Sequence, residues 1–355
     1  MSDESIEAVL KAHPTVRSDW LALRSEEILE PELLIVDPHH HLWDHPGDRY
    51  LADRAIADFS SGHNVISTVH VQCRSMYREH GPESLKPVGE TEFVRQLATG
   101  RNRSDTSLHI CAGIVGTVDI LLGDDVQPVL EAHIEAGVGR FRGIRPTVVW
   151  HESREILPVA NPEGLLRAAP TRAAVSCIHK MGMTLDLWAF FTQLRDVAQL
   201  CRDHPDLTVV INHTGGPLGI GPYKDKRTEV FAEWRSRVEE LAALPNTVMK
   251  LGGLAMRYAG FGFNERTLPP SSDDLVAAWK PYMRLCIDLF GPDRCMFESN
   301  FPVDKAMCSY SVIWNAYKKI AADLTAAERR NLFSDTAARI YRLDLPQLPV
   351  TIAKS

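Results

Sequence analysis

The stretch LLIVDPHHHLW, residues 33–43, decides how the rest of the chain is read. It begins as a short β-branched apolar run and ends in three consecutive histidines. A run of this kind marks a strand buried on both faces, and polar residues at its end mark where the strand reaches a functional surface. Seven further runs follow the same plan: VISTVHVQC from Val65, LHICAGIVGTV from Leu108, RFRGIRPTVVW from Arg140, MTLDLWAF from Met183, LTVVINHTGG from Leu207, TVMKLGGL from Thr247 and RCMFESNFP from Arg294. Between them lie amphipathic stretches such as VQPVLEAHIEAG, TQLRDVAQLCRDHP and VFAEWRSRVEELAALP, several ending in Gly or Pro as helices do. SSDD from Ser271 is a helix N-cap before the stretch that ends at Gly291. Eight alternations of strand and helix give an α/β fold, a (β/α)8 TIM barrel. A doubly wound sheet is the competing arrangement, but no GxGxxG follows the first strand. The expected organisation is one domain over 33–345, preceded by an N-terminal helical extension over 1–32. A C-terminal helix over about 325–343 covers the barrel.

The 355 residues suffice for one such barrel without disulfide staples. Asp and Glu total 46 against 39 Lys and Arg, a formal charge of −7, and no basic block occurs, so a nucleic-acid surface is not expected. The N-terminal residues lack the apolar core of a signal peptide, and no apolar run is long enough to span a membrane. Seven cysteines stand singly, with no CxxC pair, which predicts reduced, buried thiols and a cytoplasmic location.

Barrel active sites gather at the C-terminal ends of the strands, and there the apolar runs are interrupted. His39 and His41 share one face of the first strand and are expected to point into the mouth, with His40 turned toward the helices. Two imidazoles on one face can hold a divalent metal or a polar substrate. His213 ends the sixth run before the tight turn Thr-Gly-Gly-Pro. The fourth run carries Arg142 and Arg145; an arginine inside a strand needs an anionic partner, and the sequence does not choose between them. On the eighth, Glu298 and Asn300 share the inward face, with Asp304 following in the loop. The second supplies Gln72 and then a long insertion with Tyr77, Arg78, His80, Glu90 and Glu92, a candidate lid.

Three of these landmarks, in order, carry a resemblance: His39-x-His41, His213-Thr-Gly-Gly-Pro and Ser299-Asn300-Phe301-Pro302. Over residues 33 to 345 the chain resembles the amidohydrolase superfamily, in its amidohydrolase-related lactonase branch. The resemblance implies a hydrolase that opens a lactone of a carboxylated or sugar-like small molecule with activated water. It also implies one weakly held zinc on His39, His41 and His213 or a carboxylate, with a metal-free site as the alternative. The family's strand-eight residue is usually Asp, a general base; here Asn300 replaces it, and an amide accepts no proton near neutral pH. The base then falls to Asp304, Glu298 or a neutral histidine. Arg142 or Arg145 would hold an anionic substituent, with Tyr77, Trp43 and Trp188 as flat walls. Asp186-Leu187-Trp188 lacks the Lys or His of binuclear relatives. A metal-dependent decarboxylase or hydratase and an inactive ligand-binding barrel are the competing readings. Barrels of this kind often form homodimers, although no interface signal stands out in the chain.

Overall fold

The computed structural model describes residues 14–45, 47–101, 108–158 and 161–345. Eight parallel strands run in chain order around a nearly closed barrel: β1 (Leu34–His40), β2 (Asn64–Val71), β3 (His109–Gly116), β4 (Phe141–Ile144), β5 (Thr184–Leu187), β6 (Val209–Ile211), β7 (Thr247–Leu251) and β8 (Cys295–Phe297). Each falls within one of the eight apolar runs, save that β2 begins one residue earlier, at Asn64. A helix follows each strand: α1 (Ala52–Phe59), α2 (Val88–Arg101), α3 (Gln127–Gly137), α4 (Ala169–Lys180), α5 (Leu194–Asp203), α6 (Arg227–Ala242), α7 (Ser272–Phe290) and α8 (Tyr310–Ile320). Ser271 caps α7 in a full capping box with Asp274, as the SSDD sequence requires.

Two apolar layers hold this arrangement. Ile35, Leu185, Val209, Met249 and Phe297 face the helices. Val36, Val69, Val115, Val210, Val248 and Met296 fill the lower interior, where Ile340, Tyr341 and Leu343 of the C-terminal segment meet them. That segment is helical from Ala326 to Ile340, with a π turn at Asn331–Asp335. It plugs the barrel at the end opposite the mouth. Of the N-terminal extension, residues 14–32 are described, and they hold one helical turn, Ser18–Leu21, not a longer helix. The segment runs along the outside of the barrel, where Lys318 donates to the carbonyls of Leu29 and Glu30. The first thirteen residues of that extension lie outside the described residues. All seven cysteines are free thiols. Among the described residues no helix is long and apolar enough to cross a membrane.

Closure fixes the geometry of the mouth. The His41 amide donates to Phe301 O at 2.8 Å, and the Asn300 amide donates to His39 O at 2.9 Å, so the end of β1 is laced to the chain leaving β8. Outside this seam, Asp37 accepts from the Ser299 hydroxyl at 2.6 Å and the Tyr310 hydroxyl at 3.0 Å. Between Asp37 and His40, β1 carries one more residue than the facing stretch of β2, a bulge at Pro38. The extra residue flips the parity of the strand. Val36 points inward below it and His39 and His41 point inward above it, whereas His40 bonds Thr68 Oγ1 and packs 5.1 Å from the Phe59 ring of α1.

Burial raises the Asp37 pKa to about 6 despite its hydrogen bonds. An unfolded Asp ionises near 4, so the unfolded chain loses this proton first as pH rises and the folded state falls behind. The contribution is therefore complete below about pH 4 and lost by about pH 6, at most about 3 kcal/mol. Urea titrations across this window are expected to show the fall in wild type and its disappearance in Asp37→Asn. An unchanged pH profile in the variant would show that Asp37 stays ionised in the fold.

Candidate active site

Glu298 is the hub of the mouth. Its carboxylate is fully buried and accepts from the His213 ring Nδ1 at 2.8 Å and from the His213 backbone amide at 3.0 Å. Its other oxygen lies 2.6 Å from His39 Nδ1, out of line for a hydrogen bond, and is left without a donor among the described residues. The backbone is arranged around this contact. His213 and Thr214 both take positive φ, 56° and 54°, which costs energy for side chains that carry a Cβ. Thr214 offsets that cost by bonding Gly252 O through its hydroxyl, and Trp234 Nε1 donates to Thr214 O. Gly252 is required because a Cβ there would lie 2.4 Å from Glu298 Cγ.

The other predicted residues fall into two groups. Arg145 is buried; its guanidinium bonds His39 Nε2 at 3.2 Å and also the carbonyl of Gln72, whose side-chain amide returns a bond to Arg145 O. His41 donates from Nδ1 to Val71 O and meets the Asn300 side chain through Nε2 at 3.2 Å. Asn300 in turn bonds Asp304 at 2.7 Å. Trp43 stacks 6.2 Å from His41, and Trp188 stands edge-on to His213 at 5.7 Å. Tyr77 lies near enough to Glu90, Arg74 and Arg145 to feel their charges, and burial chiefly raises its pKa.

Arg142 does not join them. It faces the other way, bonding Gly139 O, with Arg342 and Asp344 of the C-terminal segment nearby, so the choice between the two arginines resolves to Arg145. The candidate lid also needs correction. Glu90 and Glu92 lie in the first turns of α2, and Arg78 is tied to Glu92 by an ion pair, so the free loop ends before Val88. His41 stands apart from the metal-competent group, which is His39, His213 and Glu298.

Sequence reading passed over a second layer beneath the hub. Lys250 of β7 is fully buried, 2.9 Å from Asp186 of β5 and 3.4 Å from His39 Nδ1. Asp186 also accepts from the Tyr341 hydroxyl at 2.7 Å and from Asn212 at 3.2 Å. A lysine in the middle of TVMKL was the available signal, since a buried ammonium requires a carboxylate partner.

Burial holds His39, His41 and His213 below their ordinary pKa, and neighbouring cations add to the effect, Lys250 first for His39 and Arg145 first for His41. Burial raises Asp304 well above the usual carboxylate range. The mouth thus presents neutral imidazoles. Two imidazoles and one carboxylate form a donor set suited to a catalytic divalent metal with an open position, and the unpartnered Glu298 oxygen fits that role. Arg145 and Lys250 beside His39 oppose a dipositive charge, which predicts modest affinity.

Removing one partner of a buried ion pair leaves an uncompensated charge, costing about 3–5 kcal/mol. Asp186→Asn is expected to lose that much in urea unfolding, and Asp186→Asn with Lys250→Met to lose less than the sum of the single changes. A loss below about 1 kcal/mol in Asp186→Asn would show that the pair is not the anchor of this layer.

A family model for amidohydrolases matches residues 36–343. The chain is 27% identical over 323 residues to an L-fucono-1,5-lactonase of Burkholderia multivorans, covering 88% of this chain and 97% of that protein. It is 31% identical over 334 residues to y4mH of Sinorhizobium fredii, covering 88% and 99%. An amidohydrolase from Burkholderia multivorans, solved with bound zinc, superposes with a TM-score of 0.68 at 25% identity, covering 88% of this chain and 100% of that one. With a family match over most of its length, on a nearly closed barrel whose histidines converge at the mouth, the chain belongs to the amidohydrolase family.

Proposed function

We propose that this protein is a hydrolase that opens the ring of a sugar-type lactone with water. The observation that carries the proposal is the convergence of His39, His213 and Glu298 at the mouth beside the buried Arg145, in a chain similar along its length to an L-fucono-1,5-lactonase. Zinc held by His39, His213 and Glu298 would polarise the lactone carbonyl and lower the pKa of a bound water. The chain's own residues supply the rest. Glu298 fixes the His213 ring by its Nδ1 and lies against His39, and Arg145 fixes His39 by the opposite nitrogen. Arg145 also brings positive charge to the place where the tetrahedral oxyanion develops.

The substrate's hydroxyl groups have partners waiting. The indole nitrogens of Trp43 and Trp188 and the side-chain oxygen of Gln72 are buried without hydrogen bonds among the described residues. Unpaired polar groups in a pocket are costly until a ligand meets them, which favours a polyhydroxylated ring over an apolar one. Asp304 is poorly suited to be the base. One oxygen is taken by Asn300, the side chain is fully buried, and that burial raises its pKa well above the usual carboxylate range. The proton acceptor falls to the histidine and Glu298 cluster.

The test is a panel of aldonolactones followed by proton release at constant pH. His213→Ala and Glu298→Gln are expected to lose about 10²–10⁴ in kcat/KM, and Asp304→Asn far less. Arg145→Met should lose comparably, and Arg142→Met should stay close to wild type. No turnover of any lactone by wild type loaded with zinc would overturn the proposal. Carbon dioxide released from an aromatic acid would put a decarboxylase in its place.

A further inference from the structure

At the end of β2, beside the mouth and sharing none of the donors gathered around Glu298, a second group converges. His70 Nε2 lies 3.2 Å from Glu90 Oε1, and the Cys73 thiol lies 3.3 Å from the same oxygen. The Cys73 amide also donates to it, at 2.7 Å. One carboxylate oxygen thus takes three contacts, while the other, Oε2, is buried with no partner among the described residues, as is His70 Nδ1. His70 and Glu90 are buried, and Cys73 is half-buried, which leaves an approach from solvent. Ligands about 2.0–2.3 Å from a tetrahedral zinc stand roughly 3.3–3.8 Å apart. His70 and Cys73 each stand close to such an edge from Glu90, and all three donors lie within 4.8 Å of one another.

We propose that His70, Cys73 and Glu90 form a second metal site, distinct from the mouth, that takes a thiophilic divalent ion such as zinc. A thiolate, an imidazole and a carboxylate select zinc or cobalt over magnesium or calcium, which prefer all-oxygen cages. Binding exchanges the thiol proton for the metal and releases that proton to solvent; no oxidant or reductant is needed. Water completes the coordination from the half-exposed side of Cys73. The site joins the strand end to the first turn of α2 and so pins the start of the loop that carries Tyr77. It also adjoins Gln72, whose carbonyl holds Arg145. A metal here therefore acts on the mouth by position, not by contact with substrate.

Cobalt distinguishes the two sites, because the mouth offers no sulfur ligand. Chelator-treated full-length protein titrated anaerobically with Co²⁺ is expected to develop a thiolate-to-metal charge-transfer band in the near ultraviolet. The band should vanish in Cys73→Ser and persist in Glu298→Gln. A second reading needs no variant: Zn²⁺ should slow alkylation of Cys73 by iodoacetamide in wild type, followed by peptide mass spectrometry. Saturation with cobalt without a sulfur band, a band that survives Cys73→Ser, or alkylation of Cys73 indifferent to zinc would each overturn the proposal.

Discussion

A single buried carboxylate ties the mouth of this barrel together. Glu298 stands on the chain leaving β8, yet it meets His39 from β1 and both the ring and the backbone of His213 from the end of β6. A carboxylate taken out of water must be matched by donors, cations or a metal, and the surrounding residues follow from that requirement. Gly252 leaves room for its side chain, and the left-handed backbone at His213 and Thr214 turns an amide and an imidazole toward it. Arg145 and Lys250 supply positive charge from β4 and β7.

The fold was readable because burial on both faces of a parallel strand writes a continuous apolar run, and that signal is local. The inward aim of His39 and His41 was readable as well, through the two-residue period of a strand. The bulge at Pro38 could have broken this reading, because it reverses parity between Val36 and His39. It did not, because both histidines lie beyond it. Arg142 falls at a register shift in β4, where Phe141 pairs with Ile114 and Gly143 with Val115, and Arg145 lies beyond it, so the two-residue period alone does not place them. Which one faces the site depends on where β4 ends its pairing, and no local pattern records that. The pairing of Lys250 with Asp186 escaped notice for a related reason. Each is an isolated polar residue in an apolar run, and its meaning depends on a partner two strands away.

Asn300 makes most sense beside its neighbours. Where the family resemblance leads one to expect a carboxylate, the amide joins His41 on one side and Asp304 on the other. A carboxylate here would bring a third acidic group close to Glu298 and Asp304, both fully buried. An amide carries a donor and an acceptor and no charge, so it bridges His41 and Asp304 without adding to that repulsion.

The charge of the interior then balances in layers. At the mouth, Glu298 lies with the neutral histidines and Arg145. Beneath it, Lys250 pairs with Asp186, and Asp186 is held in turn by the hydroxyl of Tyr341. Tyr341 belongs to the C-terminal segment that plugs the opposite end. One continuous path of polar contacts therefore runs from the plug, through Asp186 and Lys250, to His39. The lower interior around it is packed with Val36, Val69, Val115 and Val248, so this polar column crosses an otherwise apolar layer.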